Sequence, residues 1–390
     1  MTIGIDKLNF FAPNLYVDLV DLATARGVEP AKYTIGIGQE KMAFPPLTQD
    51  TISMGANAAL PIVSKEDAEL IDLVILGTES GIDYSKAGAT VIHQLLGVQP
   101  FARAIEIKQA CYGATAGLLM AKDYITSHPG RKALVIASDI ARYGLATGGE
   151  VTQGAGAVAM LISENPKILE LEDESVVYTD NIFDFWRPVY SDNALVDGKF
   201  SNEAYINFFS TVWEEYKRRT NRSLDDFEAL CFHLPYSKMG KKALLPVLEN
   251  DEATDAIKEK LLTNYEHSIL HTKAIGNIYT GSLYLGLCSL LDNQPNLKDN
   301  QLIGLFSYGS GAVGEFFTGR LVPGFSDHLQ TEAHRNLLNE RQALTIPEYE
   351  SLFKEKLPQD GSEMRLDTQA DPASICIEKI TDHQRYYHKK

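Results

Sequence analysis

The chain has 390 residues, 44% hydrophobic and 23% charged, a composition that suits a globular protein of two or three domain-sized units and not a disordered or fibrous one. Its formal charge of −16 argues against nonspecific binding to nucleic acid or an anionic membrane, which needs a basic surface. Four widely spaced cysteines, Cys111, Cys231, Cys288 and Cys376, argue against a disulfide framework. No secretory leader pattern and no apolar run near ~18 residues is visible, so a cytoplasmic location is expected.

In chain order, short β-like runs alternate with helical spacing, the pattern of an α/β fold with largely buried strands. Residues 73–76 read as a strand ending in the turn Gly77-Thr78-Glu79-Ser80, and 87–96 as a helix. Residues 104–108 are extended and give way to Ala110-Cys111-Tyr112-Gly113, which opens a helix over 115–125. Strands follow at 133–137, ending in Ser138-Asp139, and at 156–162. Residues 167–226 break the pattern, with an aromatic, Pro-interrupted stretch at 184–190 that reads as an ordered loop covering something, then an amphipathic helix at 208–219. The programme then repeats. Residues 227–232 lead into His233, Gly276-Asn277 precedes a helix at 283–291, and 302–313 read as strand, Gly turn and strand. Charged helices at 334–341 and 346–354, a polar stretch at 358–362 and a strand at 374–380 form an accessory tail.

A period this long suggests two duplicated halves, 1–166 and 167–390, and not a solenoid of ~20–50-residue repeats; chance likeness between two α/β segments is the alternative. Duplication has a geometric consequence. Matching strand ends meet near a pseudo-twofold axis and bring Glu79, Cys111, His233, Asn277 and Ser310 together.

Cys111 sits at a strand-to-helix junction, where unpaired N–H groups and the helix dipole favour a thiolate; an inert buried thiol is the commoner fate of a lone Cys. A cysteine nucleophile needs a base or cationic partner, an oxyanion site and a proton manager. His233, ending an apolar strand before Pro235, suits the first role, or it is a satisfied core residue. Glu79, in a tight turn with no basic residue before Lys86, is expected to hold a raised pKa suited to acid–base work, unless it only caps the next helix. Asn277 offers an amide donor and Ser310 a backbone N–H in a Gly-rich turn that permits close approach. Lys238, Lys241 and Lys242 form a basic island in an acidic chain: either a solvated helical face or a grip for a phosphate-rich tail. Thioesters of coenzyme A combine such a tail with an electrophile for a thiol. His267 and His271 lack the His-Glu-x-x-His order, and Gly148–Gly154 lacks a P-loop ending, so no metal is expected.

Taken in order, Lys32-Tyr33-Thr34-Ile35-Gly36-Ile37-Gly38-Gln39, Gly77-Thr78-Glu79, Ala110-Cys111-Tyr112, Cys231-Phe232-His233-Leu234-Pro235, Gly276-Asn277-Ile278-Tyr279-Thr280 and Phe306-Ser307-Tyr308-Gly309-Ser310-Gly311 closely resemble the bacterial 3-hydroxy-3-methylglutaryl-CoA (HMG-CoA) synthases of the thiolase superfamily. The resemblance runs to about residue 325 and weakens beyond. It implies a thiolase-like fold of two βαβαβαββ halves in α-β-α-β-α layers, and a homodimer. It also implies an enzyme of the mevalonate pathway to isoprenoids. That enzyme condenses acetyl-CoA with acetoacetyl-CoA and water to (S)-HMG-CoA and CoA, without a redox or metal cofactor. By the same resemblance Cys111 carries the acetyl group and Glu79 is the acid–base group. His233 anchors the acetoacetyl group with help from Asn277, and N–H groups of Cys111 and Ser310 hold the oxyanion. Lys238 and Lys242 align with CoA-contacting positions, and Glu29, Pro30, Thr152 and Ser201 with further ligand-lining ones. Two rivals stand beside it: a CoA-primed ketoacyl-carrier-protein synthase, which needs no acid at Glu79, and a noncatalytic acyl-CoA binder, which needs no activated thiol.

Overall fold

The computed structural model describes residues 2–191 and 193–390. Nine strands form one mixed sheet: β1 (Ile3–Phe11), β2 (Ile71–Gly77), β3 (Arg103–Ile107), β4 (Lys132–Ala141), β5 (Gly154–Glu164), β6 (Leu169–Thr179), β7 (Ala229–Phe232), β8 (Leu302–Gly309) and β9 (Val313–Leu321). Their spatial order is β7-β8-β9-β6-β1-β5-β4-β2-β3. The first half thus runs β3-β2-β4-β5-β1 and the second β7-β8-β9-β6, the same order with one strand fewer. The halves join through β1 and β6, antiparallel at Gly4↔Glu170 and Ile5↔Leu169.

The third strand expected in the second half is absent. Its place in the chain is taken by helices α5 (Met239–Asn250), α6 (Asp255–Ser268) and α7 (Leu270–Ile275), the last ending at Gly276 with φ +91°. The 167–226 segment also departs from expectation. It opens with β6, the second half's first strand, before the aromatic stretch and helix α4 (Gly198–Thr220).

Apolar residues face both sides of the strands, so helices cover both faces. Helices α3 (Gly113–Ser127) and α8 (Ser282–Asn293) lie in a core shared by strands of both halves, to which Leu118, Ala121 and Ile125 of the first and Leu283, Leu287 and Leu290 of the second belong. The outer face of the first half is covered by α1 (Thr51–Ala59) and α2 (Gly88–Leu95), and that of the second by α4, α5 and α6. Five layers result, α-β-α-β-α. Helix α8 is buried from Ser282 through Leu291, as a helix packed between the two halves of the sheet must be.

The tail is stitched into the body rather than appended to it. Gln342–Leu344 pairs with Leu15–Asp18, and Ile375–Thr381 docks on α1 through Asn57, whose amide both donates to the Ile375 carbonyl (2.8 Å) and accepts from its N–H (3.0 Å). Among the described residues, no helix is long and apolar enough to cross a membrane.

Candidate active site

Glu79 follows β2 and Cys111 follows β3, parallel neighbours with Gly77 opposite Ile107. Two chain ends on one sheet edge bring their side chains together: Cys111 Sγ donates to Glu79 Oε1 at 3.1 Å. Both preludes to the midplane helices use left-handed backbone, Ala110 at φ +42° before Cys111 and Gly276 at φ +91° before Asn277. For Ala110 this region costs about 1–2 kcal/mol, so packing must hold the residue there.

That packing is reciprocal. A Cβ on Gly309 would lie 2.5 Å from the Gln109 carbonyl and 2.6 Å from Tyr112, so the second half's β8–β9 turn presses on the Cys111 loop. A Cβ on Gly154 would lie 2.6 Å from the Asn277 carbonyl, so the first half's β4–β5 connection presses on the Asn277 loop. Each half thus supports the other's functional loop. Thr152 joins here, its carbonyl accepting from Asn277 N–H at 3.2 Å, and the Ser310 carbonyl accepts from Gln109 Nε2 at 3.4 Å.

Asn277 Oδ1 accepts from Tyr279 N–H and the Ser282 hydroxyl, both at 2.8 Å, which fixes the amide. Tyr143 links it to the thiol: its phenol interacts with Tyr279 and Asn277 and lies within electrostatic reach of Cys111 and Glu79. Tyr143, Tyr279 and Phe185 form the aromatic wall beside Cys111.

Asp139 is the residue that sequence reasoning left without a role. It lies in the last stretch of pairing along β4, whose register sets Gly77 opposite Ala137, so two residues on Asp139 stands beside Glu79. Its buried carboxylate accepts from Glu79 N–H (2.9 Å), the Thr78 hydroxyl (2.9 Å), and the N–H (3.1 Å) and hydroxyl (2.5 Å) of Thr280. Burial and the Asp139 charge push the Glu79 carboxyl up to about 8, against the opposing pull of the Cys111 S–H and the Arg187 cation. The raised acid expected from the turn is present.

The thiol departs from expectation. Burial first, then Glu79, holds the Cys111 proton on sulfur well above the usual range, so the helix N-terminus does not leave a free thiolate. His233 departs as well. It is buried, its N–H donates to the Phe306 carbonyl (2.8 Å), and its carbonyl accepts from Tyr205 OH (2.6 Å). Burial pushes its ring down to about 3, so it is neutral and no cationic partner for sulfur. Its Nδ1 has no hydrogen-bond partner among the described residues. It approaches the site through Tyr205, 6.5 Å away between ring centres, and Tyr308, which packs on Tyr205 at 5.2 Å and lies within electrostatic reach of Cys111.

The remaining candidates lie further out. Ser201 Oγ donates to the buried Asp184 (3.3 Å), which also accepts from Tyr308 OH and Gly311 N–H. Lys242 Nζ donates to Tyr236 OH at 3.0 Å. Lys238 immediately precedes α5, and a Cβ on Gly38 would lie 3.2 Å from its Cγ. Glu29 and Pro30 lead into the π-helical turn Lys32–Ile37, which ends at Gly38, so they and Lys238 border one surface. His271, set aside as a metal ligand, instead joins Asp292 and His334 in a buried hydrogen-bonded trio with 2.7 Å contacts to Asp292 Oδ2.

Comparison with known proteins accounts for the whole chain. The family model for the hydroxymethylglutaryl-coenzyme A synthase N-terminal region matches residues 1–167, and that for the C-terminal region matches 171–268 and 256–364. A hydroxymethylglutaryl-CoA synthase of Enterococcus faecalis is 54% identical over 387 residues, covering 99% of this chain and 100% of that protein. A polyketide 3-hydroxy-3-methylglutaryl-ACP synthase of Bacillus subtilis is 35% identical, covering 90% and 88%. A solved HMG-CoA synthase complexed with CoA superposes with a TM-score of 0.97 at 46% identity over 100% of both chains. Another solved structure, in complex with 3-hydroxy-3-methylglutaryl coenzyme A, gives 0.89 at 35% over 100% and 99%. With a shared fold along its full length and both halves matched, the chain belongs to the hydroxymethylglutaryl-CoA synthase family.

Proposed function

We propose that the chain condenses acetyl-CoA with acetoacetyl-CoA and water to (S)-HMG-CoA and CoA through an acetyl-Cys111 intermediate. The observation that carries the assignment of roles is the 3.1 Å contact between Cys111 Sγ and a carboxyl whose proton is exchangeable near neutrality. The thiol keeps its proton at rest, so the Glu79 carboxylate takes it as sulfur attacks the thioester carbonyl and passes it to the departing CoA sulfur, which leaves CoA as its thiol and Glu79 again a carboxylate. Glu79 next removes a proton from the acetyl methyl. The carbanion equivalent attacks C3 of acetoacetyl-CoA, and Glu79 returns the proton to the new alkoxide. Water then cleaves the Cys111 thioester.

His233 is the anchor for the acetoacetyl group: a neutral, buried ring with an unpartnered nitrogen suits a carbonyl-bearing ligand better than it suits ion pairing with sulfur. Asn277 assists, and N–H groups of Cys111 and Ser310 serve the oxyanion. Lys238 and Lys242 hold the CoA portion, and Glu29, Pro30, Thr152 and Ser201 line the ligand. The units are the halves 1–166 and 167–390. The working state is a homodimer. β3 is an edge strand, and Phe101 and Tyr84, each 92% exposed, with Ile105 and Ile82 beside them, leave apolar surface for a second copy.

Brief exposure to acetyl-CoA followed by mass spectrometry tests the reading. An acetyl adduct on Cys111, absent in Cys111→Ala, and its loss on adding acetoacetyl-CoA with release of HMG-CoA are expected. An adduct on another residue, or none with HMG-CoA still formed, overturns the assignment.

A further inference from the structure

Residues 184–189 cross the site and are tied to both halves. On the second-half side the buried Asp184 carboxylate accepts from Tyr308 OH (2.8 Å), Gly311 N–H (2.9 Å) and Ser201 Oγ (3.3 Å). In the middle, Phe185 meets Tyr143 and Tyr279 edge-on at 6.0 and 5.9 Å, against Cys111. On the first-half side Arg187 Nη2 donates to the main-chain carbonyl of Glu79, and the Val189 carbonyl accepts from Tyr84 OH at 3.2 Å. The two anchors differ in kind. Asp184 is fixed by three bonds in a buried place, whereas Arg187 is exposed and reaches the peptide of the acid–base residue itself. Beside it opens a cleft of about 700 Å³, bordered by Glu79, Arg187, Lys108, Arg142 and Arg385.

We infer that Arg187 is a positioning residue for Glu79, holding the carboxyl-bearing turn against Cys111 and so setting how the acetyl-enzyme divides between condensation and hydrolysis. This deepens the acetyl-Cys111 reading and rests on it. Condensation requires Glu79 to reach a methyl proton, a step sensitive to placement; hydrolysis of the thioester needs only water, which the neighbouring cleft supplies. The guanidinium also acts on the carboxyl through space. Glu79 is faced by Asp139 from the end of β4, by the Cys111 thiol and by the Tyr143 and Tyr279 phenols, with Glu106, Lys108 and Asp83 along the cleft; Arg187 contributes the cationic pull.

The test uses the full-length enzyme as Arg187→Ala and Arg187→Lys, with three readouts: yield of acetyl adduct, acetate released from acetyl-CoA alone, and condensation rate against pH. In Arg187→Ala the adduct should still reach the parent's final yield, though more slowly because Glu79 also takes the thiol proton, while the ratio of hydrolysis to condensation rises about tenfold, the size expected for slight misplacement of a reacting group. The rising limb of the condensation profile should move to higher pH, since a cation favouring the carboxylate is gone. Arg187→Lys should restore the limb, because the charge is kept, and only part of the ratio, because the planar fork is not. An unchanged ratio in Arg187→Ala overturns the inference, as does a parallel fall in final adduct yield and condensation, which would mean a merely structural role. Absence of the adduct in the parent enzyme overturns the Cys111 reading itself and the inference with it.

Discussion

Glu79→Gln separates the charge of the site from its shape. Burial and Asp139 hold the Glu79 proton on until about pH 8, whereas an ordinary glutamate releases it near 4.5. Between those values unfolding therefore releases a proton. The stability this group contributes is fully present below pH 4.5 and is lost as pH rises through 8. Each pK unit corresponds to about 1.4 kcal/mol, so a shift of this size sets an upper bound of about 5 kcal/mol. Glu79 is only half-buried, and solvent screening cuts that to about 2 kcal/mol. Glutamine keeps the size of the side chain and has no such dependence. Glu79→Gln should accordingly match the parent in stability near pH 4.5 and exceed it by about 2 kcal/mol at pH 8.5, read as a higher urea midpoint at unchanged m value. The variant should be unable to condense. A stability difference that ignores pH, or one that favours the parent at pH 8.5, would refute the claim that this site stores the cost of a disfavoured carboxylate.

Asp139→Asn removes the neighbouring negative charge, so the rising limb of the condensation–pH profile should move down by about one unit; a limb that stays put would show that burial alone sets the Glu79 acidity. Gly309→Ala should lower stability by about 2 kcal/mol or more and slow acetylation, because its Cβ would fall within 2.6 Å of the Cys111 loop. Acetylation at the parent rate by a fully stable Gly309→Ala protein would contradict the reciprocal packing of the halves. His233→Ala should leave the acetyl adduct intact while raising KM for acetoacetyl-CoA about tenfold or more, as expected when a site loses a buried polar contact to its substrate. Loss of the adduct itself would move His233 into the acetylation step.

What could be read beforehand follows from how each segment is buried. β2, β4 and β5 are continuous apolar runs and declare themselves as strands covered on both faces. Helix α1 does not: Thr51 through Ala59 is buried throughout, with Ser53, Gly55 and Asn57 inside it, so no apolar stripe marks it. β6 is disguised by Glu170, Glu172, Asp173 and Glu174; Glu172 is met by Arg222 and Arg320, Glu174 by Arg219, all from distant segments, and Asp173 by Lys122 of α3. The second half's missing strand was hidden because the duplicated loop, Gly276-Asn277, survives while its lead-in has become helix α7. At the site, Glu79 and Cys111 were legible as ends of neighbouring runs. Asp139 was equally legible: it closes a third run, and parallel pairing with β2 sets it beside Glu79. Phe185 and Arg187 were not, because their contacts to Tyr143, Tyr279 and Glu79 join segments with no shared local pattern.

The same contrast between local and tertiary forces explains why sulfur stays protonated and what that does for the chemistry. The N-terminus of α3 can favour a thiolate by about 1 kcal/mol, 2 at most, or roughly one pK unit. Full burial opposes it more strongly, and the carboxylates of Glu79 and Asp139 add to that opposition. Burial wins, and the thiol donates to Glu79. That donation in turn pulls the Glu79 acidity back toward the ordinary range. In the proposed cycle acetylation removes the S–H donor. The carboxylate therefore becomes a stronger base after the acetyl group is attached, at the step where it must take a proton from carbon. A thiolate formed by the helix alone would leave Glu79 beside a negative sulfur and reverse that order. The protonated pair instead ties the basicity of Glu79 to whether Cys111 carries an acyl group.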